Sequence, residues 1–319
     1  MRGRIRIRRL LAITFGALAL AVVILNWTYG RLPSLPPPTG SFAQVGKLRI
    51  HYLERPGTGT AVLLLHGLPG TADDFDAVTP LLRGDRTVAI DRPGYGYSSG
   101  GYEPFSRQLE AIDTLIHTLG LKRPIVVGHS YGGTLALGLA ERYPHDVGGV
   151  VLVDAAAAGI RLGSFDRAQA HLVKFLDLPV IRTLAHVTFS QVLSTVSINQ
   201  GDSAAFDPAP VASAHRERLK EIFSRHDTRE AFAGEQLGAS DAIASVDAGL
   251  HSIVAPAVVI QGEADQLVKP IYGRHLAARL AHASLVMVPG GHMAPYTHPQ
   301  AIAFAVARVG ATTTSGGKR

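Results

Sequence analysis

The chain has 319 residues, 46% of them hydrophobic and 18% charged, a balance that excludes wholesale disorder and a coiled coil and leaves room for a large core. It contains no cysteine, which excludes disulfides, thiolate metal sites and a cysteine nucleophile. The formal charge of +6 does not mark a nucleic-acid protein, because Arg2, Arg4, Arg6, Arg8 and Arg9 supply five of those charges and the remaining 310 residues carry +1, too little for a basic stripe on a folded domain.

Leu10 to Trp27 is an 18-residue stretch in which only Thr14 and Asn26 are polar. An α-helix rises about 1.5 Å per residue, and roughly 20 apolar residues cross a hydrocarbon core of about 30 Å, so the segment is just long enough to span. Trp27 and Tyr29 suit the membrane interface at its far end. The arginines at its near end keep residues 1–9 in the cytoplasm and send residues 41–319 across, by the positive-inside rule. The expectation is a transmembrane signal-anchor over 10–29 and a Pro-rich linker over 30–40, whose run Leu32–Gly40 reads as a stiff spacer. The alternative is a cleaved signal peptide and a secreted domain, although no small-x-small site follows the apolar run.

From residue 41 onward, short apolar runs alternate with helix-like stretches. Lys47–Leu53 alternates with period two and reads as an antiparallel edge strand. Ala61–Leu65, Thr87–Ile90, Ile125–Val127, Val150–Val153, Ala257–Ile260 and Leu285–Val288 are continuous apolar runs, as in parallel strands buried on both faces. Helical patterning falls near 74–83, 106–119, 131–142, 270–281 and 299–308, which makes βαβ units. About a hundred residues between Asp154 and Ala257 hold helical patterning (Phe165–Leu176, Val211–Phe223, Glu230–Ala239) and no clear strand, too long for a loop. The fold expected is therefore α/β, a mostly parallel central sheet with helices on both faces. Its core occupies 41–155 and 249–309, an inserted helical cap 156–248, and a disordered tail 310–319.

Gly128-His129-Ser130-Tyr131-Gly132 follows an apolar run and opens a helical stretch, the strand–turn–helix setting in which G-x-S-x-G exposes a nucleophilic hydroxyl. Glycines on either side of the serine let neighbouring backbones pass without a Cβ. A serine needs a base and the base needs an orienting acid. Two late loops beyond strand ends supply them: Asp265 after AVVIQG and His292 after LVMVPG, in the chain order Ser, Asp, His. Glu263 and Asp154 compete for the acid's role, while Asp91 reads as the holder of its own turn. His66, His129 and His298 read as structural.

These motifs resemble those of the α/β-hydrolase superfamily, over about residues 44–309. His66-Gly67-Leu68-Pro69-Gly70 resembles the family's oxyanion loop after the third strand. Asp91 to Ser98 (DRPGYGYS) is similar to the segment after the fourth. GHSYGG resembles the nucleophile elbow, GEADQLV the acid loop and GGHMAPYTHP the histidine loop. The resemblance implies the α/β-hydrolase fold with a cap, and an esterase- or lipase-like serine hydrolase. Its catalytic residues are Ser130, Asp265 and His292, and its oxyanion hole is formed by the backbone N–H groups of Leu68 and Tyr131.

The expected substrate is a small-molecule or lipid-like carboxylic ester, with no cofactor, no metal and no nucleic-acid partner; nothing in the chain specifies an oligomeric state. Serine-dependent alternatives on the same scaffold are carbon–carbon bond hydrolases, proline-type aminopeptidases, lactonases and acyltransferases. A non-catalytic ligand-binding module is the reading from another class.

Overall fold

Every apolar run read above as a strand becomes one; those inside the sheet are buried, whereas the last, at its edge, is half-buried. A computed structural model describes residues 13–24, 34–160, 164–176, 178 and 190–316. The strands are β1 (Ser41–Val45), β2 (Leu48–Arg55), β3 (Ala61–Leu65), β4 (Arg86–Ile90), β5 (Ile125–His129), β6 (Gly149–Val153), β7 (Ala257–Gly262) and β8 (Ala283–Val288). They form one sheet in the order β1-β2-β4-β3-β5-β6-β7-β8. The β1–β2 and β2–β4 pairs are antiparallel, and every pair from β4 to β8 is parallel.

The helices are α1 (Phe105–Thr118), α2 (Tyr131–Arg142), α3 (Ser164–Leu176), α4 (Ser190–Phe206), α5 (Ser213–Phe223), α6 (His226–Gly249), α7 (Pro270–Arg279), α8 (Ala294–Thr297) and α9 (Pro299–Gly316). Successive side chains of a strand point to opposite faces, and β3 splits accordingly. Leu63 and Leu65 join a core with Ile112 of α1, Leu135 of α2 and Leu276 of α7. Val62 and Leu64 join a second core with Ile302 and Val306 of α9. Both cores stand on the same strands, which is why those strands carry no polar alternation.

The structure departs from the sequence reading at several elements. The outermost antiparallel strand is β1; the predicted edge strand at Lys47–Leu53 is β2, paired on both sides. In place of one helix over 74–83, the chain forms two short 3-10 turns, Ala72–Phe75 and Thr79–Leu81. The cap holds a further helix, α4, whose sequence SQVLSTVSINQGDSAAF lacks an apolar stripe. Helix α6 extends beyond the predicted Glu230–Ala239 in both directions. It passes through Gly234, where a Cβ would lie 2.2 Å from the Tyr102 ring, so glycine there permits close packing. Residues 310–316, expected to be disordered, continue α9; Thr312 and Thr313 return their hydroxyls to the carbonyls of Arg308 and Gly310.

Residues 13–24 of the predicted membrane segment are helical, with Ile13, Phe15, Leu18, Leu20 and Ile24 exposed. Among the described residues no helix is long and apolar enough to cross a membrane. The rest of the predicted span, its arginine flank and residues 30–33 lie outside the described residues. The end of the linker is not a free spacer: the Tyr97 hydroxyl donates to Pro36 O at 2.8 Å, and Leu35 packs on the apolar cluster of Tyr95 and Phe223.

The helices from α3 to α6 join the body through buried charge as well as apolar contact. His215 of α5 lies 3.1 Å from Asp74 Oδ1, in the turn after β3, and 3.4 Å from Asp202 Oδ1 of α4. The Tyr296 hydroxyl donates to the same Asp74 oxygen at 2.9 Å. Burial disfavours the imidazolium, but its hydrogen bonds to Asp202 and Asp74 and their charges outweigh it and raise the His215 pKa to about 9. Because this value lies above that of an unfolded histidine, the stabilisation is complete below pH 6.5 and disappears as pH rises through about 9. The linkage is on the order of a few kcal/mol. Thermal unfolding should therefore show Tm falling between pH 6.5 and 9.5 in the native chain, and much less steeply in that window in His215→Gln.

Candidate active site

Ser130 sits between β5 and α2 with φ 51° and ψ −119°, a left-handed conformation that a residue with a Cβ rarely adopts. Three backbone hydrogen bonds hold it there: its N–H donates to Val153 O (2.9 Å), and its carbonyl accepts from Gly133 (2.9 Å) and Ala156 (3.0 Å). Its glycine neighbours are steric necessities. A Cβ at Gly128 would lie 2.3 Å from Gly132 O, and one at Gly132 would lie 2.2 Å from Leu65 O. The chain therefore reverses sharply where the central strand ends, against the loop that follows β3. Gly67 of that loop passes so close that an added Cβ would stand 3.1 Å from Ser130 Cβ.

His292 and Asp265 meet in a hydrogen bond of 2.8 Å between Nδ1 and Oδ2. Asp265 is buried, and its other oxygen accepts the N–H groups of Leu267 (2.8 Å) and Val268 (2.9 Å). Burial opposes its charge, but the His292 charge, their hydrogen bond and those two donors hold its pKa below the usual carboxylate value. With Nδ1–H donated to the carboxylate, Nε2 is the His292 nitrogen left to take a proton. The ring is raised above the ordinary histidine value: burial lowers it, and the charge and hydrogen bond of Asp265, with the charge of Asp154, more than compensate. Ser130 is tied to the same place through its predecessor, since the His129 ring packs at 4.9 Å from that of His292 and its Nε2 donates to His292 O at 2.8 Å.

The histidine loop is also gripped by the cap. The His292 N–H donates to Ala205 O at 2.9 Å, and a Cβ at Gly291 would lie 2.1 Å from Asp207 O. Both carbonyls lie at or just past the end of α4, the helix without a sequence signature.

The competing candidates separate by environment. Glu263 is exposed. Asp91 does hold its turn, accepting the Tyr97 N–H at 2.8 Å, and it also pairs with His51 at 2.8 Å and accepts the Ala72 N–H at 2.8 Å. His66 and His129 are buried, and desolvation keeps both neutral, with pKa values of about 3 and about 4. Asp154 is the unexpected neighbour. It is buried beside Asp265, accepts the Gly262 N–H at 2.7 Å, and shares the amide of Gln261 with that carboxylate (3.3 and 3.2 Å). Burial, with the nearby Asp265 charge, raises it to about 7 despite the attraction of His292. Its place at the end of VVLVD marked it as a rival acid, whereas Gln261 gives no sign of bridging two carboxyl groups.

Among the described residues, ligating atoms of His129, Asp154 and His292 lie within 4.8 Å of one another. An ion there would take a ring nitrogen of His292, whose Nδ1 already meets Asp265. A second cluster, Asp113, His117 and Asp146, lies away from the site. A cleft of about 700 Å³ lined by Ala61, Arg86 and Gly148 lies at the amino ends of the strands, opposite the carboxyl ends where open α/β sheets bind ligands.

Residues 60–299 match the family model of the alpha/beta hydrolase fold. The chain belongs to that family. A 2-hydroxy-6-oxononadienedioate/2-hydroxy-6-oxononatrienedioate hydrolase of Burkholderia vietnamiensis is 27% identical over 266 residues, covering 80% of this chain and 88% of that protein. A serine hydrolase-like protein of Danio rerio is 38% identical over 104 residues, which span 31% of this chain and only 32% of that protein. The crystal structure of a hydrolase from Pseudomonas aeruginosa superposes with a TM-score of 0.70 at 22% identity, covering 86% of this chain and 99% of that one.

The electrostatics lead to a measurable order of pKa values. In NMR titrations of the His292 ring, the native chain should titrate above 6.5. Asp265→Asn should shift it down most, and Asp154→Asn by a smaller amount, because each removes a negative charge that favours the imidazolium. With Asp154 also titrating near 7, the native curve should show two coupled steps.

Proposed function

We propose that this alpha/beta hydrolase is a serine hydrolase of carboxylic esters, working through an acyl-enzyme. The observation that carries the reading is the His292–Asp265 hydrogen bond, set beside a serine held at positive φ at the end of the central strand. Ser130 Oγ attacks the ester carbonyl carbon while His292 Nε2 takes its proton, and Asp265 stabilises the imidazolium. The carbonyl π electrons move to oxygen, and the Leu68 and Tyr131 N–H groups receive that oxyanion. The intermediate collapses, the C–O bond to the alcohol breaks, and His292 returns the proton to the departing oxygen. Water then attacks the acyl carbon with its proton passing to His292; the C–Oγ bond breaks, His292 returns the proton to Ser130 Oγ, and the carboxylic acid leaves. Every step uses side chains and backbone donors of this chain.

The Burkholderia relative supports a second reading, carbon–carbon hydrolysis of an oxo-dienoate. The substrate in that relative's name is a dicarboxylate, which calls for a cation free to bind it. Arg92, buried beside the loop after β3, commits all its N–H bonds within the protein and is not free to be that cation. The apolar, arginine-flanked segment 10–29 supports attachment to a membrane with the catalytic domain on the extracytoplasmic side, where a lipid-like ester is at hand.

A fluorophosphonate probe should label the native chain and not Ser130→Ala, and p-nitrophenyl ester turnover should fall at least about 10³-fold in that variant. No labelling of the folded native chain points to a binding module; cleavage of oxo-dienoates in preference to esters points to the second reading. Full-length chain expressed in bacteria should stay in the membrane fraction after alkaline carbonate washing, and a chain starting at residue 34 should not.

A further inference from the structure

Arg92 is among the largest fully buried side chains, with no exposed surface. It follows Asp91 at the carboxyl end of β4, alongside the loop that leaves β3. A guanidinium has five N–H bonds, and five acceptors surround this one. Nε donates to His66 O (3.1 Å). Nη1 donates to Gln108 Oε1 (3.0 Å) and Glu235 Oε1 (2.5 Å). Nη2 donates to Gly67 O (2.8 Å) and Glu235 Oε2 (3.0 Å). Glu235 belongs to α6, is itself 2% exposed, and also accepts the Tyr95 hydroxyl at 2.9 Å. The two-pronged pair between Arg92 and Glu235 thus joins the inserted helices to the end of the sheet, 143 residues apart in sequence.

The acceptor that matters most is Gly67 O. His66 is neutral, and its Nε2 accepts the Arg92 backbone N–H at 3.0 Å. Its proton therefore sits on Nδ1, which donates to Gly67 O at 2.8 Å. That carbonyl receives two donors, one of them cationic, and both its lone pairs are filled. A trans peptide is planar, so the carbonyl of Gly67 and the N–H of Leu68 point in opposite directions from one rigid unit. Pinning the oxygen on the Arg92 side aims the Leu68 N–H the other way. Donors on the carbonyl also polarise the amide and strengthen its N–H as a donor.

We infer that Glu235, acting through Arg92, is a positioning residue for the oxyanion hole: the Leu68 N–H is aimed correctly only while α6 is docked on the body. The inference rests on the serine-hydrolase reading and adds to it a dependence of transition-state binding on the inserted helices. Without Glu235 the buried guanidinium keeps its charge and loses two of its five acceptors, and its hold on Gly67 O relaxes as it seeks others. A buried pair that served packing alone would alter stability without discriminating between a charged tetrahedral adduct and a neutral ligand.

The test compares the native chain with Glu235→Gln and with the apolar double variant Arg92→Met/Glu235→Leu, which preserves volume and leaves no unpaired buried charge. The readouts are kcat and KM on a p-nitrophenyl ester, Tm, and the inhibition constants of a trifluoromethyl ketone and its matching secondary alcohol. The ketone forms a hemiketal oxyanion on the serine; the alcohol does not. Expected in both variants is a fall in kcat of about 10- to 100-fold, KM within about threefold, and weaker ketone binding in proportion to kcat, with alcohol binding unchanged. Native kcat and native ketone affinity in either folded variant overturn the inference, as does a loss of kcat with an unchanged ketone-to-alcohol ratio. A native chain that neither turns over the ester nor binds the ketone overturns the serine-hydrolase reading and the inference together. A native chain that does both, matched by Glu235→Gln, overturns the inference alone.

Discussion

The left-handed backbone at Ser130 is the constraint from which the site follows. A residue with a Cβ held at positive φ stores on the order of 1–3 kcal/mol, so the surroundings must impose it. They do so with hydrogen bonds to β6 and to the loop after it, and with glycines at 128 and 132 that let two backbones approach within contact of the turn. Replacing either glycine by any other residue would drive a Cβ into a carbonyl oxygen. The turn also ends the central strand abruptly, which leaves the serine at the carboxyl edge of the sheet. There the loops after β3, β7 and β8 bring their own residues.

Burial governs the ionisation of the groups around that turn. His66 and His129 have no carboxylate in hydrogen-bonding contact and stay neutral; both ring nitrogens of His66, and Nε2 of His129, meet backbone groups. His292 and His215 each have a carboxylate at about 3 Å and are pushed the other way. The two carboxyl groups near His292 divide similarly. Asp265 receives two backbone N–H groups and the ring, and stays ionised, whereas Asp154 has fewer donors and rises to about 7. Buried imidazoles in one fold thus differ in the direction of their pKa shift because of what each ring faces.

The inserted helices are part of the site's architecture as well as its cover. Several of their junctions with the body are polar and lie next to the candidate site. Asp202 and His215 meet Asp74 in the turn after β3, Ala205 accepts the His292 N–H, and Glu235 grips Arg92 beside the loop after β3. An apolar interface alone is non-directional; these contacts fix the register of the helices against the loops.

Much of this was legible in the chain itself. Apolar runs without alternation meant strands covered on both faces, and strand–glycine–serine–glycine–helix meant a sharp turn exposing a hydroxyl, because both follow from local sterics and periodicity. The order of Ser130, Asp265 and His292 placed three candidates on loops at one end of a parallel sheet, as its topology requires. What only the tertiary structure decided is whatever depends on partners distant in sequence: that Asp265 and not Asp154 meets the imidazole, that α4 forms despite its patternless sequence, that residues 310–316 continue α9, and that Glu235, which in an isolated helix reads as a solvated charge, lies buried against Arg92. A carboxylate looks the same in the sequence whether it faces water or a guanidinium 143 residues away. Packing alone determines which, and with it the charge that the group carries.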